Sequence, residues 1–180
     1  MTQHTSWANA ALALKALRQA QALLPARIID LPQAKLEALI CQSGTFRLKA
    51  HRLKALSHWW CEHASAPISD TKLRDNLLQV VGIGPETADC IALYAFGQPR
   101  FIADSYARRW LYRMGIYSEP PLYEEVRGDV EGCMLGGATE FGEVHALIVA
   151  HGKSHCKAKP ICANCPIAAH CARNGLPEPT

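Results

Sequence analysis

The sequence predicts an almost entirely α-helical protein, and three observations favour this fold class. Apolar residues recur at the spacing of a helix along the chain, no convincing run of β-branched residues alternates with a period of two, and helix-capping residues flank the periodic segments. The periodic groups are Ala10/Leu14/Leu17, Leu36/Leu39/Ile40, Leu53/Leu56/Trp60, Leu73/Leu77 and Phe141/Val144/Ile148. We therefore expect many short helices joined by short loops.

The ends of these helices are predicted from residues that favour particular cap positions. Pro32 suits the first turn of a helix, and Asp70 and Thr139 suit N-caps because their side-chain oxygens accept free backbone N–H groups. Gly115 and Gly152 follow periodic runs, as a glycine that ends a helix does.

Composition restricts the class of protein without identifying it. The 180 residues are 49% hydrophobic and 19% charged, which is ordinary for a globular chain with one sizeable core or two small lobes. A formal net charge of +3 permits a polyanionic partner but does not require one. No apolar stretch is long enough to span a bilayer, and the first residues lack the pattern of a signal peptide, so we expect a cytoplasmic protein without a membrane partner.

The eight cysteines fall into two populations. Cys41, Cys61, Cys90 and Cys133 are scattered along the chain, and in a reducing compartment such cysteines are expected to be small core residues. The other four are crowded into a short segment near the end of the sequence, and this segment has no apolar face of its own. We expect a bound metal centre to organise it.

The crowded thiols are Cys156, Cys162, Cys165 and Cys171, with the spacing C-x5-C-x2-C-x5-C. A structural zinc site normally uses two C-x2-C pairs, and only one such pair is present here. A [4Fe–4S] cluster held by four thiolates accommodates the wider outer loops better, so the pattern favours iron and sulfur, although spacing alone leaves zinc open.

A Gly82-Ile83-Gly84 turn separates two helical patterns, and Pro85 stands where the second helix would begin. Two glycines let the backbone approach a ligand closely, and the N–H groups at the start of the following helix attract an anion such as a DNA phosphate. Taken alone, this pattern is more typical of a plain turn between two helices.

Asp104 ends an apolar stretch and precedes an arginine-rich helix. Aspartate is a good N-cap, so a structural role is expected. A carboxylate at such a place can also face a cleft, where it would stabilise a cationic transition state or orient a water molecule. The two roles are compatible.

Together, residues 81–88, the segment at Asp104 and residues 151–171 resemble the endonuclease III branch of the helix-hairpin-helix (HhH-GPD) DNA glycosylases, in order and at matching separations. The resemblance implies a six-helix barrel lobe with the hairpin, here residues 1–98, and a second helical lobe, residues 99–180, that ends in a four-cysteine [4Fe–4S] loop. The family has a further helix ahead of the point where this sequence begins, so we expect the fold without that N-terminal helix.

The same resemblance implies a partner, double-stranded DNA with a damaged base, and a monomer located in the cytoplasm at a bacterial nucleoid. Gln3 and the Thr45-Phe46 loop would fill the gap in the base stack, Gly82 and Gly84 would hold a phosphate, and Trp7 would line the base pocket unless it is a core residue. Further basic residues expected along the DNA are Arg47, Lys49, His51, Arg52, Arg108, Arg109, Arg113, Lys153, Lys157 and Lys159.

Glu86 is the main departure from the bifunctional members of the family. Those members place a lysine at this hairpin position, where its amine forms a Schiff base that a glutamate cannot form. The chain is therefore more similar to the 3-methyladenine DNA glycosylases of endonuclease III type, which implies removal of alkylated purines with Asp104, and in one interpretation Glu86, as catalytic residues. In the other interpretation Glu86 only complements the helix dipole. Two alternatives stay open: a glycosylase and abasic-site lyase that uses another lysine, and a DNA-binding relative without catalysis.

Overall fold

A computed structural model describes residues 5–63 and 70–177, and these residues form helices and no strand. The helices in chain order are α1 Trp7–Gln19, α2 Pro25–Asp30, α3 Gln33–Leu39, α4 Phe46–His63, α5 Asp70–Leu78, α6 Pro85–Phe96, α7 Ser105–Met114, α8 Tyr123–Cys133 and α9 Ala138–Ser154. Two 3₁₀ turns lie at Cys41–Ser43 and Ala168–His170. The predicted all-α class is confirmed. None of the described helices is long and apolar enough to cross a membrane.

The chain divides into two compact units, Met1–Ile83 and Gly84–Thr180. The sequence predicts a division after residue 98, and this boundary stays a prediction. In the first unit α2 packs against α4, and the Nζ atom of Lys54 donates to the carbonyl oxygens of Ile29 and Leu31 at the end of α2. The core of this unit consists of Ala13, Leu17, Ala22, Ile28, Leu36, Ile40 and Ala50.

In the second unit α9 packs against α6 and α7. The core consists of Leu93, Phe101, Ile102, Ala103, Ala107, Val126, Phe141 and Ile148. Asp89 is fully buried beside this core, and the Tyr123 hydroxyl donates to its Oδ2 atom at 2.8 Å. Burial, followed by the charge of Asp89, raises the pKa of Tyr123, so the phenol stays protonated and keeps the hydrogen bond to the buried carboxylate.

The predicted helix ends are partly confirmed. Gly115 ends α7 in the left-handed conformation, with φ +86°, as expected. Pro32 lies one residue ahead of α3, and Asp70 is the first residue of α5.

The predicted caps at Thr139 and Gly152 are both wrong. Gly137 is the N-cap of α9, its N–H donates to the side chain of Glu140 at 2.8 Å, and Thr139 lies inside the first turn. Gly152 lies within α9 and does not end it. The glycine is needed there because its lack of a side chain lets the ring of Tyr106 pack closely against the helix.

The scattered cysteines are not core residues as a group. Cys41, Cys61 and Cys133 are exposed, and only Cys90 is partly buried. The prediction that these cysteines are core residues is therefore wrong for the three exposed thiols, because Cys41 lies in a 3₁₀ turn and Cys61 and Cys133 lie in the last turns of α4 and α8, outside both cores.

Candidate functional site

Asp104 follows the buried residues 101–103 and is the N-cap of α7. Its Oδ1 atom accepts a hydrogen bond from the backbone N–H of Ala107 at 2.8 Å, so the predicted capping role is confirmed. The second carboxylate oxygen, Oδ2, lies 3.6 Å from the Nε2 atom of His145 on α9. The cap therefore fixes one oxygen of Asp104 and leaves the other directed at a histidine.

His145 also contacts a tyrosine. Its Nδ1 atom lies 2.6 Å from the hydroxyl oxygen of Tyr94 on α6. Neither residue is predicted from the sequence as part of the site. His145 follows Val144 and lies four positions after Phe141, which places it at the edge of the inner face of α9. The structure thus joins Tyr94, His145 and Asp104 from three different helices into one chain of polar contacts.

Glu86 lies in the first turn of α6, on the same helical face as Cys90 and Tyr94. Although the Glu86 residue is largely exposed, loss of water around its carboxyl and the charge of Asp104 raise its pKa, while Arg108 and His145 lower it. Glu86 and Asp104, the two predicted catalytic carboxylates, therefore lie within electrostatic reach of each other.

Cys90 lies beneath this group and is held as a neutral thiol. Burial is the largest cause that raises its pKa to about 12, and the charges of Glu86, Asp104 and Asp89 add to it. Because the thiolate is the reactive form, the raised pKa disfavours Cys90 as a nucleophile.

The loop ahead of α4 has a backbone conformation that depends on Gly44 and on a buried lysine. Gly44 and Thr45 have φ values of +64° and +37°, and Thr45 is exposed at the turn. Lys49 is only 9% exposed, and its Nζ atom donates to the carbonyl oxygen of Ser43. Burial lowers the pKa of Lys49.

This placement does not support the predicted contact between Lys49 and DNA. Its ammonium group is directed into the protein and holds the turn. Phe46 is half-buried against the core of the first unit, whereas the side chain of Arg47 is 81% exposed and lies 5.4 Å from the ring of Phe46. Of the residues predicted in this loop, Thr45 and Arg47 are therefore the most accessible.

Gly82 adopts a positive φ of +84°, and a Cβ atom there would lie 2.3 Å from the Cγ atom of Arg52. Glycine is needed at this position for its backbone conformation and for space. Gly84 differs, because it is an extended N-cap and a Cβ atom added to it would meet nothing within 4 Å. Helix α6 begins at Pro85, as predicted.

Two of the residues predicted to contact DNA or the extruded base lie near the start of the chain. Gln3 lies outside the described residues. Trp7 is the first residue of α1 and is 71% exposed, which excludes the alternative that it is a core residue.

The four crowded cysteines line one cavity of the second unit. The rest of the wall is largely apolar and includes Trp110, Met114, Pro160, Ile161, Ile167 and Leu176. Among the residues that the structure describes, no three His, Cys, Asp or Glu side chains lie close enough to hold a single metal ion. Four thiols around one shared cavity are a donor set that fits an iron-sulfur cluster.

Arg113 makes the same cavity electrostatically unusual. It is 8% exposed, and it donates to the carbonyl oxygens of Lys157 and Ala158, at 2.6 and 3.0 Å, and to the Sγ atom of Cys156 at 3.4 Å. Within the described ranges it has no carboxylate partner. A buried cation is normally paired, so the donor set fits an anionic group bound by the cysteines.

Arg109 supports the same segment from α7, because its Nε atom donates to the carbonyl oxygen of Cys156 at 2.9 Å. Arg108 and Arg109 also line, with Arg113, a cleft of about 310 Å³ on the surface of this unit. Two of the three arginines predicted to follow the DNA on α7 therefore hold the cysteine segment as well.

Comparison with known proteins agrees with this geometry. The sequence profile described as HhH-GPD superfamily base excision DNA repair protein matches residues 1–134. The candidate DNA repair glycosylase MJ1434 of Methanocaldococcus jannaschii is 35% identical over 178 residues, which covers 95% of this chain and 81% of that protein.

Two solved structures resemble the fold. A trapped covalent intermediate of endonuclease III with DNA superposes with a TM-score of 0.80 at 25% identity, covering 94% of this chain and 78% of that one. The H. pylori 3-methyladenine DNA glycosylase bound to 1,N6-ethenoadenine gives a TM-score of 0.73 at 26% identity, with coverages of 84% and 80%.

Proposed function

Because the chain belongs to the HhH-GPD superfamily of base excision DNA repair proteins, we propose that this DNA glycosylase is monofunctional and releases alkylated purines from double-stranded DNA. One observation carries the proposal: the residue in the first turn after the hairpin, within electrostatic reach of Asp104, is Glu86, a carboxylate. Among the described residues, the charged groups that shift the pKa of Glu86 are Asp104, Arg108 and His145, and none is a lysine. A glutamate at this position cannot form a Schiff base, which supports hydrolysis over β-elimination.

The reaction that these groups support is hydrolysis of the bond between the base and C1′ of the sugar. The base is flipped out of the stack, the glycosidic bond breaks, and the base keeps the electron pair. A purine that carries positive charge from alkylation leaves as a neutral molecule, so no strong general acid is needed. Water then forms the new bond to C1′ and loses a proton.

Asp104 is suited to both halves of this reaction. With Oδ1 occupied by the N–H of Ala107, Oδ2 is the oxygen that can face a cationic sugar or accept the proton of the attacking water. Burial of the carboxyl is the largest cause that raises the pKa of Glu86, and repulsion from the charge of Asp104 raises it further. A developing positive charge on the sugar relieves this repulsion, which supports a catalytic role for Glu86 as well.

The residues predicted to contact DNA come from both units. We propose that Thr45 and Arg47 contact the duplex from the first unit, that Gly82 and Gly84 bring the backbone of the hairpin to a phosphate, and that Trp7 offers its exposed face to the extruded base. The protein acts as a monomer in this proposal, in the cytoplasm where the DNA is.

We also propose a [4Fe–4S] cluster held by Cys156, Cys162, Cys165 and Cys171. The shared cavity supports it, as does the buried Arg113, which has no carboxylate partner in the described part of the chain. When bound, the cluster supplies a four-point cross-link of residues 156–171. Arg113 and Arg109 hold the backbone of that segment from α7.

The function is tested with duplex DNA that contains 3-methyladenine. We expect the purified protein to release the free base, and Asp104→Asn to abolish release while it still binds the duplex. Borohydride reduction during incubation with abasic DNA is expected to leave no covalent adduct. A trapped adduct would contradict the monofunctional assignment, and a wild-type protein that binds but never releases a base would favour the alternative without catalysis.

The cofactor is tested by elemental analysis of protein purified without oxygen. We expect a brown protein with about four iron and four sulfide per chain, and loss of both in Cys162→Ser. A colourless protein with about one zinc would overturn the cluster assignment. Cys61→Ser, which removes an exposed thiol of the first unit, is the matched control and should keep the iron.

A further inference from the structure

The contacts of His145 are not used by the hydrolysis described above. Its ring lies between the Tyr94 hydroxyl and the free oxygen of Asp104, with Nδ1 2.6 Å from the phenol and Nε2 3.6 Å from Oδ2. The side chain of His145 is 16% exposed and that of Asp104 is 13% exposed, so little water competes for either contact.

The contact with the Tyr94 hydroxyl bears on which nitrogen of His145 carries the proton. Burial is the largest cause that raises the pKa of Tyr94, and the nearby Cys90 and Asp104 raise it further, so the hydroxyl keeps its proton and can donate. A neutral imidazole that accepts at Nδ1 carries its hydrogen on Nε2. That hydrogen is then on the side of the ring that faces Asp104.

We propose that His145 is a positioning residue that directs an N–H at Oδ2 of Asp104, and that Tyr94 selects the tautomer needed for this. The proposal rests on the proposed glycosylase function. The Ala107 N–H holds Oδ1 of Asp104 at 2.8 Å, and Nε2 of His145 lies 3.6 Å from Oδ2, where a modest shortening would let its N–H hold the second oxygen. In this proposal the two donors together limit rotation of the carboxylate when substrate is bound.

The separation of 3.6 Å between Nε2 of His145 and Oδ2 of Asp104 is slightly longer than a good hydrogen bond. Contacts between catalytic groups are often long before substrate is bound and shorten in the complex. Tyr94 itself is 59% exposed, so its ring edge is accessible while its hydroxyl is occupied by His145.

The tautomer is tested directly by NMR on the free protein with ¹⁵N-labelled histidine at about pH 8, where an ordinary histidine is neutral. We expect His145 to show an unprotonated Nδ1 and a protonated Nε2, and Tyr94→Phe to lose this preference. A ring with its hydrogen on Nδ1 in the wild-type protein would overturn the proposal, because Nε2 would then have nothing to donate.

The kinetic test compares two amides at position 145. The amide of a glutamine reaches the place of Nε2 and can donate to Asp104, whereas the shorter amide of an asparagine reaches only the place of Nδ1 and contacts Tyr94. In single-turnover base release, we expect His145→Asn to lower the rate on the order of tenfold to a hundredfold without weakening DNA binding. We expect His145→Gln to recover most of the rate.

Equal rates for the two amide variants, or equal loss in both with a lowered melting temperature, would assign His145 a structural role and overturn the proposal. Tyr117→Phe is the matched control for Tyr94→Phe, because it removes a tyrosine-to-carboxylate hydrogen bond of 2.9 Å to Asp129 outside this group. The two failures are distinguishable. A wild-type protein that releases no base contradicts the proposed function, while the NMR result still decides the tautomer.

Discussion

The ring of Tyr106 occupies the space that a side chain at Gly152 would need. A Cβ atom on Gly152 would lie 2.3 Å from Cδ1 of Tyr106, a distance that real contacts do not reach. Gly152 is buried within α9, and Tyr106 lies in the first turns of α7. This close approach fixes the spacing of α7 and α9, the two helices whose residues bring Asp104 and His145 together.

Gly152→Ala should therefore destabilise the protein, by about 1–3 kcal/mol, because the two helices must separate or the tyrosine ring must turn. Urea unfolding monitored by circular dichroism measures the difference. Gly128→Ala in α8 is the matched control, since nothing lies within 4 Å of its Cβ position. We expect that variant to be about 0.5–1 kcal/mol more stable than wild type, because alanine favours a helix interior. Similar losses in both variants would contradict the packing argument.

The two glycines of the hairpin should separate stability from DNA binding. Gly82→Ala forces a positive φ and a clash with Arg52, so we expect a loss of at least about 1–2 kcal/mol in unfolding free energy. Gly84→Ala meets no protein atom and should unfold like wild type. Because its methyl group would stand where the backbone is proposed to approach a phosphate, Gly84→Ala should weaken binding to duplex DNA in a fluorescence anisotropy titration. Wild-type affinity in Gly84→Ala would place the phosphate contact elsewhere.

Asp104 should contribute to stability separately from catalysis. Asparagine caps a helix about as well as aspartate, whereas alanine cannot accept the Ala107 N–H. We expect Asp104→Ala to be about 1 kcal/mol less stable than Asp104→Asn in thermal unfolding, while both lack base release. If the two variants unfold at the same temperature, the cap contributes nothing measurable.

Glu86→Gln should change stability in a way that depends on pH. The pKa of Glu86 is raised in the folded protein, so its folded form holds the proton more tightly, and its contribution to stability is present at low pH and lost as the pH rises through the folded pKa. Removing the charge should therefore stabilise the protein at about pH 7, by roughly 0.5 kcal/mol given the exposure of the residue, and not at about pH 4. Glu143→Gln on α9 is the control. If Glu86→Gln stabilises the protein as much at about pH 4 as at about pH 7, burial of the charged carboxylate and its repulsion from Asp104 do not cause the stabilisation.

The helices could be predicted because their apolar residues are local in sequence and repeat at a fixed period. Asp104 could be predicted for the same reason, since a cap acts within one turn. The contact between Tyr94 and His145 could not, because 51 positions separate them and only the packing of α6 against α9 brings them together. Lys49 resembles a DNA contact in the sequence because it stands among basic residues. Its place one position before buried Ala50 and four before Leu53 is the signal that it belongs to the inner face of α4.

The capping bond of Asp104 also bears on how this protein can evolve. Because asparagine preserves the bond to Ala107, the reactive carboxylate can be lost by a change that leaves the helix start, and with it the fold, intact. A single nucleotide exchange, from an aspartate codon to an asparagine codon, is enough to cause this loss. In the proposed function, the product would be a folded protein that still searches DNA and occupies lesions without removing them, and so shields damage from other repair enzymes.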